Sequence, residues 1–109
     1  MAKKQTAGRD NLGALAPQFA ALNDDVLFGQ VWAREDELSA RDRSMITIAA
    51  LFSAGLYPQL RAHLEIGKAH GITKDEAVEI VTQLAFYCGW PKAWSTFPMI
   101  AEVWGDDAA

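Results

Sequence analysis

Ser39-Ala-Arg-Asp-Arg-Ser-Met-Ile-Thr-Ile-Ala-Ala-Leu-Phe-Ser-Ala-Gly55 is the stretch that decides the fold. Its apolar residues (Met45, Ile46, Ile48, Ala49, Leu51 and Phe52) do not alternate with polar ones as in a half-buried strand. They reach nearly all the way round a helix. Ser39 and Asp42 stand at the spacing of a capping box, and Gly55 supplies a stop. The run from Met45 to Leu56 is interrupted by Thr47 and Ser53 and is too short to cross a bilayer. It reads as a buried core helix.

Outward from this segment the spacing stays helical. Toward the N-terminus, a helix is expected over Ala16 to Leu22, with Pro17 in its first turn. Asn23 or Asp24 then stands where a cap would open the next helix, which carries Val26, Leu27, Val31 and Trp32. Toward the C-terminus, a helix over Pro58 to His70 is stopped by Gly71. Thr73-Lys-Asp-Glu76 forms a stronger capping box for a helix running through Tyr87 to Gly89. Pro91 opens a last helix with Trp94, Phe97, Ala101 and Trp104 along one side, which Pro98 is expected to kink or split. Residues 1–9 are polar and read as a loose arm. The prediction is all-α, a single multi-helix domain over residues 1–109.

Composition narrows the function. Half of the 109 residues are hydrophobic, so a real core forms. The net charge is −4 and the basic residues are scattered, which argues against nucleic acid as a partner. No span is long enough for a membrane, and no apolar region follows Lys3 and Lys4 as a secretory signal would require. The lone cysteine, Cys88, cannot close an internal disulfide and reads as a buried thiol, which suits the cytoplasm. A helix that is apolar all round must be covered on every side. The other helices could do that only by exposing their own apolar faces, so self-association is expected.

Few residues offer chemistry. His63 lies one turn from Leu60 and Gly67 at the edge of an apolar helix face. From spacing alone it is more readily a core-edge histidine than an acid or base, though its titration range suits either role. His70, at a helix end, reads as structural. Two histidines and one cysteine so spaced make no metal site. Trp32, Tyr87, Trp90 and Trp94 are candidate pocket walls, and Arg41, Arg43 and Arg61 are candidate carboxylate clamps. Each is equally compatible with core, interface or solvated surface.

Taken in order, Phe28-Gly-Gln-Val-Trp32, Leu38-Ser-Ala-Arg-Asp-Arg-Ser44, Ile46-Thr-Ile-Ala-Ala-Leu51, Arg61-Ala-His-Leu64, Gly71-Ile-Thr-Lys-Asp-Glu76 and Ala85-Phe-Tyr-Cys-Gly-Trp-Pro91 resemble the carboxymuconolactone decarboxylase family. The likeness runs from about Asn23 to Trp104. It implies an all-α, alkylhydroperoxidase D-like fold whose small subunits assemble into rings, so a trimer or hexamer is expected. It also implies either of two chemistries.

One is the thiol-dependent reduction of peroxides and disulfides. In that branch a C-x-x-C pair precedes the histidine, and here its positions are Leu56 and Gln59. Neither forms a thiolate, so that cycle has no nucleophile. The other is cofactor-free decarboxylation of a small carboxylated lactone or keto-acid. There His63 would donate the proton, with Gln30, Gln83, Arg61, Arg43, Trp32, Tyr87 and Trp90 around the substrate. The family usually carries glutamate at position 30 and histidine at position 83. Two amides keep hydrogen bonding there but cannot exchange protons near neutral pH. That substitution keeps open a non-catalytic, small-molecule-binding protein as the alternative.

Overall fold

A computed structural model describes residues 4–105. Among them there are helices and no strands. They fall into two compact units, one ending at Ala40 and one beginning at Arg41.

The first unit contains α1 (Ala7–Leu12) and α2 (Pro17–Ala21), the latter running without a break into a π-helical segment, Leu22–Val31. The wider coil is visible at its end, where Trp32 N–H donates to the Leu27 carbonyl, five residues back, at 2.9 Å. The expected cap at Asn23 or Asp24 is therefore absent. Asp24 is used elsewhere: its buried carboxylate accepts from the N–H groups of Gly8 (2.9 Å) and Arg9 (3.0 Å), donors that the first turn of α1 cannot satisfy internally. Residues 7–9, expected in a loose arm, are thus helical and anchored. Residues 1–3 of that arm lie outside the described residues.

Gly8 is required where α1 meets α2. A Cβ there would stand 2.7 Å from both the Ala20 carbonyl oxygen and Asp24 Oδ1. Arg9 completes the clasp, with Nη2 2.7 Å from Asp25 Oδ2.

The second unit contains α3 (Ala40–Ala54), α4 (Tyr57–Ala69), α5 (Lys74–Cys88) and α6 (Trp90–Trp104). The helices stop at glycines 55, 71 and 89, all with positive φ, as the sequence indicates. The capping box at Thr73 is formed in both directions: Glu76 N–H donates to Thr73 Oγ1 at 3.1 Å, and Thr73 N–H donates to Glu76 Oε1 at 3.0 Å. Glu76 also pairs with Arg41 of α3. The core is Ile48, Phe52, Leu60, Leu64, Val81, Ile100 and their neighbours, all nearly inaccessible. Trp104 is buried in it, with its indole N–H donating to the Ile72 carbonyl at 3.2 Å.

Two expectations change here. Pro98 does not split α6, which runs from Trp90 to Trp104. A proline inside a helix costs about 3 kcal/mol, and burial of Ala93, Ile100 and Trp104 on the inner face offsets that. The aromatic stripe of α6 is also not one face in use: Trp104 is buried while Trp94 is 73% exposed. As for α3, Ile48 and Phe52 are buried, Met45 and Leu51 pack at the core's edge, and Ile46 remains 59% exposed.

Candidate functional site

His63 stands on α4, one turn before Gly67 on the same side of the helix. Leu60, Leu64 and Gly67 of the same helix are buried. Gly67 lets the two helices close: a Cβ on it would stand 3.1 Å from Ile48 Cδ1. His63 is half-buried beside this seam, and its Nδ1 is shut off from solvent. Burial, and secondarily the charge of His70, hold the imidazole below its ordinary value of 6.5. His70 lies two turns further along the same helix, about 10 Å away along the axis. Its Nδ1 and the buried Ser44 hydroxyl share a hydrogen bond at 2.8 Å, tying the end of α4 to α3. The seven-residue spacing of the histidines shows in the sequence; the serine that fixes the second does not.

The other predicted site residues are spread over both units. In the first unit, Gln30 is exposed near the end of the π-helical segment, and Trp32 stacks on Phe28 with ring centroids 5.6 Å apart. In the second, Arg43 is half-buried on α3. Arg61 already carries two carboxylates, pairing with Glu102 of α6 and lying 3.8 Å from Glu65. It is also two residues from His63, a spacing that turns side chains to different sides of a helix. Gln83 and Tyr87 share the outer face of α5, both exposed. Trp90 follows at the start of α6, meeting Phe86 edge-on at 5.5 Å. Gln83 and Tyr87 thus lie one turn apart on α5, while Arg61 sits in a separate charged patch with Glu65, Lys68 and Glu102.

Between α5 and α6 lies an apolar groove of about 510 Å³, floored by Ala85, Ala93 and Ala101 and walled by Trp90, Trp94 and Phe97. Of the four candidate pocket walls, Trp90 and Trp94 line it and Trp32 and Tyr87 do not; the alanines beneath carry no signal in the sequence. His63 does not line it. Among the described residues no cluster of His, Cys, Asp or Glu is arranged to hold a metal ion, and no helix is long and apolar enough to cross a membrane.

The profile of the carboxymuconolactone decarboxylase family matches residues 17–102, from the start of α2 almost to the end of α6. The chain belongs to this family. A 4-carboxymuconolactone decarboxylase of Acinetobacter baylyi is 33% identical over 97 residues, covering 89% of this chain and 72% of that protein. An uncharacterized 15.0 kDa protein of Paracoccus denitrificans is 30% identical over 95 residues, 85% of this chain and 70% of its own length. Peroxisomal protein 2 of Schizosaccharomyces pombe is 32% identical over 68 residues, 60% of this chain but 32% of that protein. The family match takes in His63, Gln30 and Gln83 alike, so the amides at positions 30 and 83 lie inside the family's domain, not in an appendage to it.

Proposed function

We propose that this family member is a cofactor-free lyase that removes carbon dioxide from a small carboxylated lactone or keto-acid, with His63 as proton donor. One observation carries the reading: within the family-matched span, the titratable imidazole at the α3–α4 seam is half-buried and biased toward its neutral form. The likeness to a 4-carboxymuconolactone decarboxylase supports the substrate class.

Decarboxylation breaks one carbon–carbon bond, releases carbon dioxide and leaves its electron pair spread over the ring and the carbonyl oxygen. One proton must then reach carbon. The His63 imidazolium gives it, and the imidazole then takes up one proton from solution, the proton that the net reaction consumes. An acid held below its ordinary pKa is a stronger donor when protonated but a scarcer one at neutral pH. Arg43 and Arg61 are the arginines proposed to hold a substrate carboxylate, and Arg61 would have to be shared with Glu65 and Glu102. A neutral amide donor such as Gln83 suits the developing oxyanion.

A second reading, a non-catalytic ligand-binding protein, is favoured by Gln30 and Gln83, which form hydrogen bonds but do not titrate. Release of carbon dioxide from 4-carboxymuconolactone and from a panel of keto-acids separates the two. The lyase reading expects turnover that falls as pH rises above the His63 pKa, and a loss of about 100- to 10,000-fold in His63→Ala with the helical content kept. Equal turnover in that variant removes His63 from the chemistry. Thermal stabilisation by these acids without any carbon dioxide release leaves the binding reading standing.

A further inference from the structure

The segment Leu22–Val31 is ten residues of π-helix. Turns of this kind are rare and mostly occur singly inside α-helices, often at functional sites. A run this long needs its surroundings to hold it. Apolar burial does not do so: Leu22 is 46% exposed, Leu27 42% and Val31 41%. The buried residue of the segment is Asp24, and that of α2 before it is Ala20. Both face α1, since a Cβ on Gly8 would meet the Ala20 carbonyl oxygen and Asp24 Oδ1 alike. Ala20 still belongs to the α register, with its N–H donating to the Ala16 carbonyl at 2.9 Å. Helix α1 therefore straddles the junction of the two coils and fixes the phase between them.

Asp24 acts through its side chain and its main chain. The carboxylate accepts from the N–H groups of Gly8 and Arg9 and from the side chains of Asn23 (3.0 Å) and Arg9 (3.4 Å). The carbonyl oxygen lies close to Gly29, where a Cβ would stand 3.2 Å from it, tighter than side chains usually come. The bare Gly29 thus eases the wider turn, and Gln30 and Trp32 follow it. Each residue of a π-helix turns through a smaller angle than in an α-helix, because its bonds reach five residues and not four. The difference accumulates along the segment, so the register decides where Gln30 points. We propose that Asp24 is a positioning residue: docked on α1, it holds Leu22–Val31 in the π register, and that register aims Gln30 and Trp32. With the clasp open the segment relaxes to α, and Trp32 N–H moves from the Leu27 carbonyl to that of Phe28. What Gln30 does once aimed rests on the proposed function; how it is aimed does not.

Couplings across hydrogen bonds, read by nuclear magnetic resonance on the isotopically labelled full chain, identify the carbonyl that Trp32 N–H uses. The parent is expected to couple Trp32 to Leu27, as their 2.9 Å bond indicates. Asp24→Ala removes the acceptor of the clasp, and Gly8→Ala pushes α1 away while leaving Asp24 in place. Each should shift the coupling by one residue, to Phe28. The amides of residues 8 and 9 should exchange roughly 10-fold faster or more, as expected when bonds to a charged acceptor are lost. Asp25→Ala, which takes away the exposed partner of Arg9 but none of the bonds to Asp24, should leave the coupling at Leu27.

A shift in either clasp variant, with Asp25→Ala unmoved, supports the proposal. A Leu27 coupling kept in both overturns it. If α1 stays docked, Asp24 is not the clasp; if α1 is released, the register is intrinsic to the segment. Loss of both couplings together with the helix also overturns it, by making the clasp a matter of folding alone. So does an equal shift in Asp25→Ala, which would make the register indifferent to which contact is lost. Turnover plays no part in these readouts, so the register and the lyase reading stand or fall separately.

Discussion

The two units are stabilised in different ways, and each withdraws an ionisable group from water, Asp24 wholly and His63 in part. In the first, the buried Asp24 carboxylate is answered on several sides, by two N–H groups of α1, by Asn23 and by Arg9. Burial alone would raise its pKa. The hydrogen bonds from Asn23, Arg9 and Gly8, with the charge of Arg9, outweigh it and hold the carboxyl below 3.8. In the second unit an apolar core does the holding, and His63 at its edge is biased toward the neutral state by burial and by His70. A buried charge that is fully paired fastens a structure. A half-buried imidazole denied its charge is a group ready to exchange a proton. The proposed proton donor thus lies in the second unit, and the first is fastened by its paired carboxylate.

The largest effect is expected where the apolar core is deepest. Phe52 is fully buried on α3 against the other core residues of its unit. Phe52→Ala removes a ring and leaves a cavity, and should cost about 3–5 kcal/mol in urea unfolding. A cost under about 1 kcal/mol would mean that the core is not what stabilises α3–α6.

A smaller effect tests the polar clasp. In Gly8→Ala the new methyl meets the Ala20 carbonyl and the Asp24 carboxylate at 2.7 Å, and the backbone oxygen cannot swing away. The expected cost is about 1–3 kcal/mol. Hydrogen exchange should locate it: faster in Ala7–Leu12 and the π-helical segment, little changed in α4 to α6. Equal acceleration of α5 would break the division into a clasped unit and a cored one.

These contrasts explain what the sequence could and could not reveal. The helices of the second unit are legible because their signals are local. Gly55, Gly71 and Gly89 each stop the helix before them, and Thr73 caps through a residue three positions away. Asp24 misleads because its partners are Gly8 and Arg9, about 15 residues back. A cap serving a distant helix has the same composition as one serving its own. Pro98 shows the opposite limit: it does not split α6, because the rule against proline is local and the burial that opposes it is tertiary. The family was legible because its motifs are short and keep their order. The candidate site could be named only as a set of residue types, since no spacing announces that Arg61 pairs with Glu102 or that Ser44 fixes His70.

Acid sharpens the comparison further, with the smallest expected effect. His63 has a folded-state pKa below 6.5, so the unfolded chain takes up a proton first as pH falls. The stability it contributes is whole above pH 6.5 and is lost progressively from there down to its folded value. Asp24 is also depressed, but from 3.8, so its contribution is whole above pH 3.8 and is lost only below it. Between pH 6.5 and 3.8, hydrogen-exchange protection of α4 should therefore weaken while that of α1 holds. His63→Gln, which cannot titrate, should remove the α4 trend and leave α1 as before. If α1 loosened first, Asp24 would not be the paired charge that its geometry indicates, and the contrast between the two units would fail at its root.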